Sequence, residues 1–157
     1  MLSLFIRNLL FTILQPGLVA GFIPWWITRF DVNSIFDKAW QLHHYSGAIV
    51  FLIGFVIMLW CIISFAVQGR GTLSPVDRTK KLVISGLYTF SRNPMYVGVV
   101  LILIGEALFL QSVKLGMYTF SVFVIFNIFI LLVEEPRLRR DFGEEYHLYC
   151  QKVRRWI

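Results

Sequence analysis

The sequence predicts an all-α integral membrane protein, one domain of about four transmembrane helices closed by an amphipathic C-terminal helix at the membrane interface. Three observations predict it. Of 157 residues, 57% are hydrophobic and only 15% are charged, and the mean hydropathy is +0.70, outside the range of water-soluble domains. The apolar residues gather into stretches close to the ~20 residues a helix needs to cross about 30 Å of hydrocarbon. Lys and Arg fall mostly on one side of those stretches.

Taken in chain order, residues 8 to 29 form the first span, apolar apart from Asn8, Thr12, Gln15, Thr28 and Arg29, with Pro16, Gly17 and Pro24 expected to kink it. Its apolar run passes Ala20 and Gly21 to Trp25 and Trp26 without a polar mature start, so it reads as a retained helix, not a cleaved signal. Residues 30 to 44 are a mixed outer segment in which Trp40, Leu42 and Tyr45 suit the headgroup level. The second span, residues 45 to 67, carries no charge and stops at Gln68-Gly69-Arg70. A long loop, residues 68 to 94, is Gly-rich, then basic, then ends in Ser91-Arg92-Asn93-Pro94. Residues 95 to 112, with the single charge Glu106, and residues 115 to 133 read as a helical hairpin. Beyond Glu134-Glu135-Pro136, the residues Leu138, Phe142, Tyr146, Tyr149 and Val153 recur at helical steps, broken by Gly143, with Trp156 as an interfacial anchor.

Four spans put the N-terminus, the long loop and the tail on one side of the membrane. That side holds Arg7, Arg70, Arg78, Lys80, Lys81, Arg92, Arg137, Arg139, Arg140, Lys152, Arg154 and Arg155, against Arg29, Lys38 and Lys114 on the other. The positive-inside rule makes it cytoplasmic, in a multi-pass protein of the cell or inner membrane. The net charge of +6 is then a basic rim beside anionic headgroups and calls for no nucleic acid. Cys61 and Cys150 lie too far apart in the topology to form a framework, and His43-His44 read as interfacial polar residues, since adjacent positions point about 100° apart on a helix. No metal site is expected.

Two local patterns carry chemistry. Adjacent carboxylates at the mouth of a membrane helix, Glu134 and Glu135, repel each other and require a cation nearby, for which Arg137, Arg139 or Lys152 are local candidates. Alternatively, the pair accepts hydrogen bonds from ribose hydroxyls and its field favours a sulfonium cation. At the start of the third span, Asn93 suits an N-cap and Pro94 a first turn, whose free N–H groups attract an anion that Arg92 can clamp. Gly98 permits close approach of a helix or ligand. Glu106, a lone acid in lipid, is either a functional group or a carboxyl hydrogen-bonded within the bundle.

The ordered set Gly86-Leu87-Tyr88, Ser91-Arg92-Asn93-Pro94-Met95-Tyr96-Val97-Gly98, Glu134-Glu135-Pro136, Phe142-Gly143-Glu144-Glu145-Tyr146, Tyr149 and Arg155-Trp156 resembles the isoprenylcysteine carboxyl methyltransferase family, itself similar to the phospholipid N-methyltransferases. The resemblance covers roughly residues 68 to 157. It implies an S-adenosylmethionine-dependent methyltransferase acting on a lipophilic or membrane-embedded small acceptor, a carboxylate, thiol or amine. In that reading residues 1 to 67 are substrate-side helices, and residues 68 to 157 supply a cytoplasmic cofactor pocket. The implied cofactor contacts are Tyr88, Arg92, Asn93, Pro94, Tyr96, Gly98, Glu134, Glu135, Tyr146 and Tyr149, with Arg92 and Glu135 catalytic: Arg92 orienting an acceptor carboxylate, Glu135 the base for an amine or thiol. Asn93 stands where many members have His, Leu87 and Arg154 where many have Pro. Asn caps and hydrogen-bonds but transfers no proton. Sterol reductases share features of the C-terminal region, so an NADPH-dependent membrane reductase is the competing enzyme, and a non-catalytic scaffold or sensor the competing class.

Overall fold

The computed structural model describes residues 16–29, 40–68 and 82–157. The start of the first span, most of the outer segment and the basic part of the long loop lie outside the described residues. Every element among the described residues is helical: a π-helical turn Leu18–Phe22 leading into α1 (Ile23–Thr28), α2 (Leu42–Gln68), a 3₁₀ turn Gly86–Thr89, α3 (Pro94–Phe109), α4 (Val113–Phe129), a second π-helical turn Ile130–Glu134, and α5 (Glu135–Lys152).

Among the described residues two helical stretches are long and apolar enough to cross a membrane, Leu42–Ser64 within α2 and Val113–Lys152, in which α4, the π turn and α5 follow one another directly. Helix α3 and the stretch Leu18–Thr28 are apolar but shorter; 16 residues give about 24 Å at 1.5 Å per residue, short of a ~30 Å hydrocarbon layer. A band of exposed Leu52, Ile53, Val56, Trp60 and Ile63 on α2 and Phe120, Ile125 and Ile128 on α4 is what a lipid-facing surface requires.

Glycines on both partners set the main packing. Gly47 and Gly54 of α2 lie seven residues apart, as do Gly98 and Gly105 of α3. A Cβ on Gly54 would stand 2.7 Å from the Gly98 carbonyl oxygen and 2.7 Å from the Ile102 nitrogen; one on Gly105 would meet the Phe51 nitrogen at 2.5 Å. The two backbones therefore touch along an antiparallel crossing, and small residues make that approach possible without a hydrophobic driving force in lipid. Gly98, read from sequence as open to a helix or a ligand, has α2 against it.

Both π turns end two residues before a proline. A proline has no N–H for the carbonyl four residues back, and its ring clashes with that carbonyl. Widening the preceding turn relieves both: Ile23 N–H reaches Leu18 O ahead of Pro24, and Glu135 N–H reaches Ile130 O ahead of Pro136. The kink expected at Pro24 is absorbed as a π bulge, and Pro136 stands in the first turn of α5. The first π turn frees the Val19 carbonyl, which accepts from the Tyr118 hydroxyl at 2.9 Å and ties the first stretch to α4.

The tail turns back on the protein. Gly143 takes φ 50°, ψ −120° inside α5, a conformation strained for any L side chain. The kink lets Leu138 and Phe142 before it and Tyr146, Tyr149 and Val153 after it share one cluster with Leu82. The amphipathic periodicity is thus present, and its apolar side packs on the protein itself. Gly143→Ala is expected to lower stability by about 1–3 kcal/mol, read as a lower thermal unfolding midpoint in detergent; an unchanged midpoint would mean that the kink is not required.

Candidate functional site

The N-terminal end of α3 and the C-terminal end of α4 meet the tail, and the sequence candidates converge there. Pro94 fills the first turn of α3 with Asn93 at the N-cap position. The Asn93 side chain does not cap, however; its Nδ2 donates to the Arg155 carbonyl at 3.0 Å, and Ser91 Oγ donates to the same oxygen at 3.4 Å. The amide is turned toward the tail because the tail's backbone, otherwise unpaired there, needs donors. A further strap runs from Arg92 N–H to the Arg154 carbonyl at 2.9 Å.

Glu135 is the hub. Arg155 grips it with two bonds, Nε to Oε1 at 2.7 Å and NH2 to Oε2 at 3.1 Å, a bidentate geometry suited to guanidinium and carboxylate. Arg92 NH1 stands 3.3 Å from Glu135 Oε1 and donates to Cys150 Sγ at 2.8 Å. The cations that meet Glu135 are therefore Arg92 and Arg155. Of the local candidates, Arg137 pairs with Asp141 at 3.6 Å and also acts on Glu134 as a nearby charge, and Arg139 acts on Glu135 as a more distant charge. Arg92 and Glu135, separated by a whole hairpin in sequence, are adjacent.

Burial by itself raises the Glu135 carboxyl, but the Arg155 hydrogen bond and the Arg92 charge outweigh it and hold the group below its ordinary value of 4.5. A carboxyl so depressed contributes stability that is present above the ordinary range and lost as pH falls through its lowered folded value. The tail is therefore expected to stay docked from roughly pH 8 to pH 5 and to release only in stronger acid. Limited proteolysis of the tail across that range checks this; release near pH 6 would contradict it.

Glu134 faces the other way. Tyr96 donates its hydroxyl to Glu134 Oε2 at 2.8 Å, and the Tyr96 ring packs against Phe126 at 4.7 Å. One acceptor position of the carboxylate is taken, and a carboxylate has about four. Tyr149 donates to the Tyr88 carbonyl at 2.6 Å, joining the loop before α3 to the tail. Burial pushes the phenols of Tyr88, Tyr146 and Tyr149 up, so all three serve as neutral donors or walls, not as bases. Tyr88, Arg92, Asn93, Tyr96, Glu134, Glu135, Tyr146 and Tyr149 thus share one region, while Gly98 packs against α2.

Sequence reasoning missed Arg155 as the principal partner of Glu135, Cys150 as an acceptor, and Asn127. The last was legible as the one amide in an uncharged fourth span: its Oδ1 accepts from Trp156 Nε1 at 3.0 Å, and the Trp156 ring lies 5.0 Å from Phe123. Trp156, read as a membrane anchor, is docked on α4. Asn127→Leu leaves that indole N–H unpaired and is expected to weaken tail docking by about 1 kcal/mol, seen as faster tail proteolysis.

Arg92 Nε is buried and has no hydrogen-bond partner among the described residues. A buried guanidinium N–H without an acceptor, beside a carboxylate with free acceptor positions, forms a donor and acceptor set that a zwitterionic ligand would complete.

A family model described as phospholipid methyltransferase matches residues 42–145, more than half of the chain. An uncharacterized protein of Haemophilus influenzae (strain ATCC 51907 / DSM 11121 / KW20 / Rd) is 36% identical over 63 residues, 40% of this chain and 100% of that protein. No solved structure matches.

Proposed function

The chain belongs to the phospholipid methyltransferase family of membrane methyltransferases, and from that premise we propose that it transfers a methyl group from S-adenosylmethionine to a lipophilic acceptor at the Arg92–Glu135 cluster. The observation that carries the reading is this cluster: the Glu135 carboxylate between two arginines, with Glu134 beside it on Tyr96, brought from the α3 entrance, the α4–α5 junction and the tail. The finer likeness to isoprenylcysteine carboxyl methyltransferases, the cytoplasmic placement of the site and the four-span topology belong to the same proposal.

The residues present fit the cofactor's chemistry. The orphaned Arg92 Nε suits its carboxylate, the open acceptor positions of Glu134 suit ribose hydroxyls, and the acidic pair favours a sulfonium. When bound, S-adenosylmethionine supplies an electrophilic methyl group on sulfur. The protein's share is then to align the acceptor and exclude water, since an in-line displacement needs no protein nucleophile. Tyr146 and Tyr149, both buried, wall the region. Arg92 orients an acceptor carboxylate. Glu135, doubly bonded to Arg155 and held ionised, is a poor proton acceptor, so its role is to set the field and fix both arginines. This favours acceptors that attack without first losing a proton: a carboxylate, a thiolate or a neutral amine.

A thermal-shift screen of the purified chain against S-adenosylmethionine, its demethylated product and NADPH tests the reading. Stabilisation by the first two is expected. Stabilisation by NADPH alone would make the chain a reductase, and none by any of the three a non-catalytic member. Mass spectrometry of lipid extracts, scanning for one added methyl group, would then identify the acceptor.

A further inference from the structure

Glu106 lies twelve residues after Pro94 on α3, roughly 18 Å along the helix from the site described above. Its Oε2 is buried and has no hydrogen-bond partner among the described residues. It borders a cavity of about 450 Å³ between α1, the start of α2 and the end of α3, a size common for small-molecule sites. Pro24, Trp25, Ala48, Phe51 and Phe109 supply apolar walls, and among the described residues the lining holds no Lys, Arg or His. Its hydroxyl, on Thr28, donates to the Pro24 carbonyl at 2.9 Å. Among the described residues this acid borders an apolar cavity with no donor to its Oε2 and no cation in the lining, which marks a place for a ligand that brings them.

We propose that this cavity is a second ligand site, taking a lipophilic amine whose alkyl chain lies against Trp25, Phe51 and Phe109 and whose protonated head meets Glu106. An alcohol would satisfy one lone pair of the carboxylate. An ammonium satisfies it and also supplies the missing positive charge. The site is separate from the proposed methyl-transfer centre and does not rest on that reading.

The test uses the full chain in phosphatidylcholine nanodiscs with 11-bromoundecylamine as probe, because bromine quenches indole emission and Trp25 borders the cavity. Subtracting the Trp25→Phe signal isolates the relevant emission. Saturable quenching is expected, with half-saturation raised about tenfold or more in Glu106→Gln, and only non-saturating quenching by 11-bromoundecanol. Ala48→Phe, which fills the cavity and leaves Glu106 in place, is expected to abolish the saturable component. Helical circular dichroism and gel filtration verify that each variant is folded. Quenching by the amine that never saturates, equal half-saturation for amine and alcohol, or an unchanged value in folded Glu106→Gln would overturn the proposal.

Discussion

Glu135→Ala is expected to abolish S-adenosylmethionine binding and to destabilise the docked tail by about 3 kcal/mol. Removing this carboxylate leaves the Arg92 and Arg155 guanidinia facing each other with their shared counterion gone, and both are at least two-thirds buried. Breaking one side of a buried pair is costly because the remaining charges lose their partner without regaining water; the figure sits at the low end because Arg155 is 32% exposed. The second variant that makes the result interpretable is Glu135→Ala with Arg155→Ala. Relieving the excess positive charge should recover part of the stability and none of the binding, so calorimetry and thermal unfolding separate a ligand role from a purely structural one. If the single variant binds cofactor as the parent does, Glu135 has no place in the site.

The next largest effect is expected at the α2–α3 crossing. Gly54→Ala places a methyl group 2.7 Å from two backbone atoms, neither of which can rotate away. The helices must separate, at a cost of about 1–3 kcal/mol, and Gly54→Leu should prevent the pairing altogether. Because α3 carries Arg92 and Asn93 at its entrance, separation also moves the candidate site relative to the tail. Gly116→Ala is the control. Nothing lies within 4 Å of its Cβ position, and alanine in a helix is favoured over glycine by about 0.5–1 kcal/mol, so this variant should unfold at a slightly higher temperature. Equal midpoints for Gly54→Ala and Gly116→Ala would show that the crossing is looser than the geometry implies.

The class of fold was legible because hydropathy and charge placement act over long windows and survive local detail. The acidic pair and the Arg92 entrance were legible for a related reason: charges beside lipid are costly enough to demand partners. What could not be read was which partner. Arg137 and Lys152 are closer to Glu135 in sequence than Arg92 is, yet Gly143 folds the tail back and delivers Arg155. The glycine spacing on α2 and α3 had meaning only once both helices were paired, since neither pair of glycines announces its opposite. Likewise, Pro24 signalled disruption, but a π turn and a kink begin from the same missing N–H. Asn93 had the right position for a cap and a different bond, because the tail's carbonyl competes for its amide in a way that only tertiary structure decides.

Ultraviolet cross-linking of S-adenosylmethionine labelled in its methyl group, followed by peptide mapping, tests the central claim most directly. Label should appear in peptides holding Tyr88 to Tyr96 and Glu134 to Tyr149 and should be displaced by the demethylated product. Label confined to α1 or the outer end of α2, or undiminished by that competitor, would contradict the account.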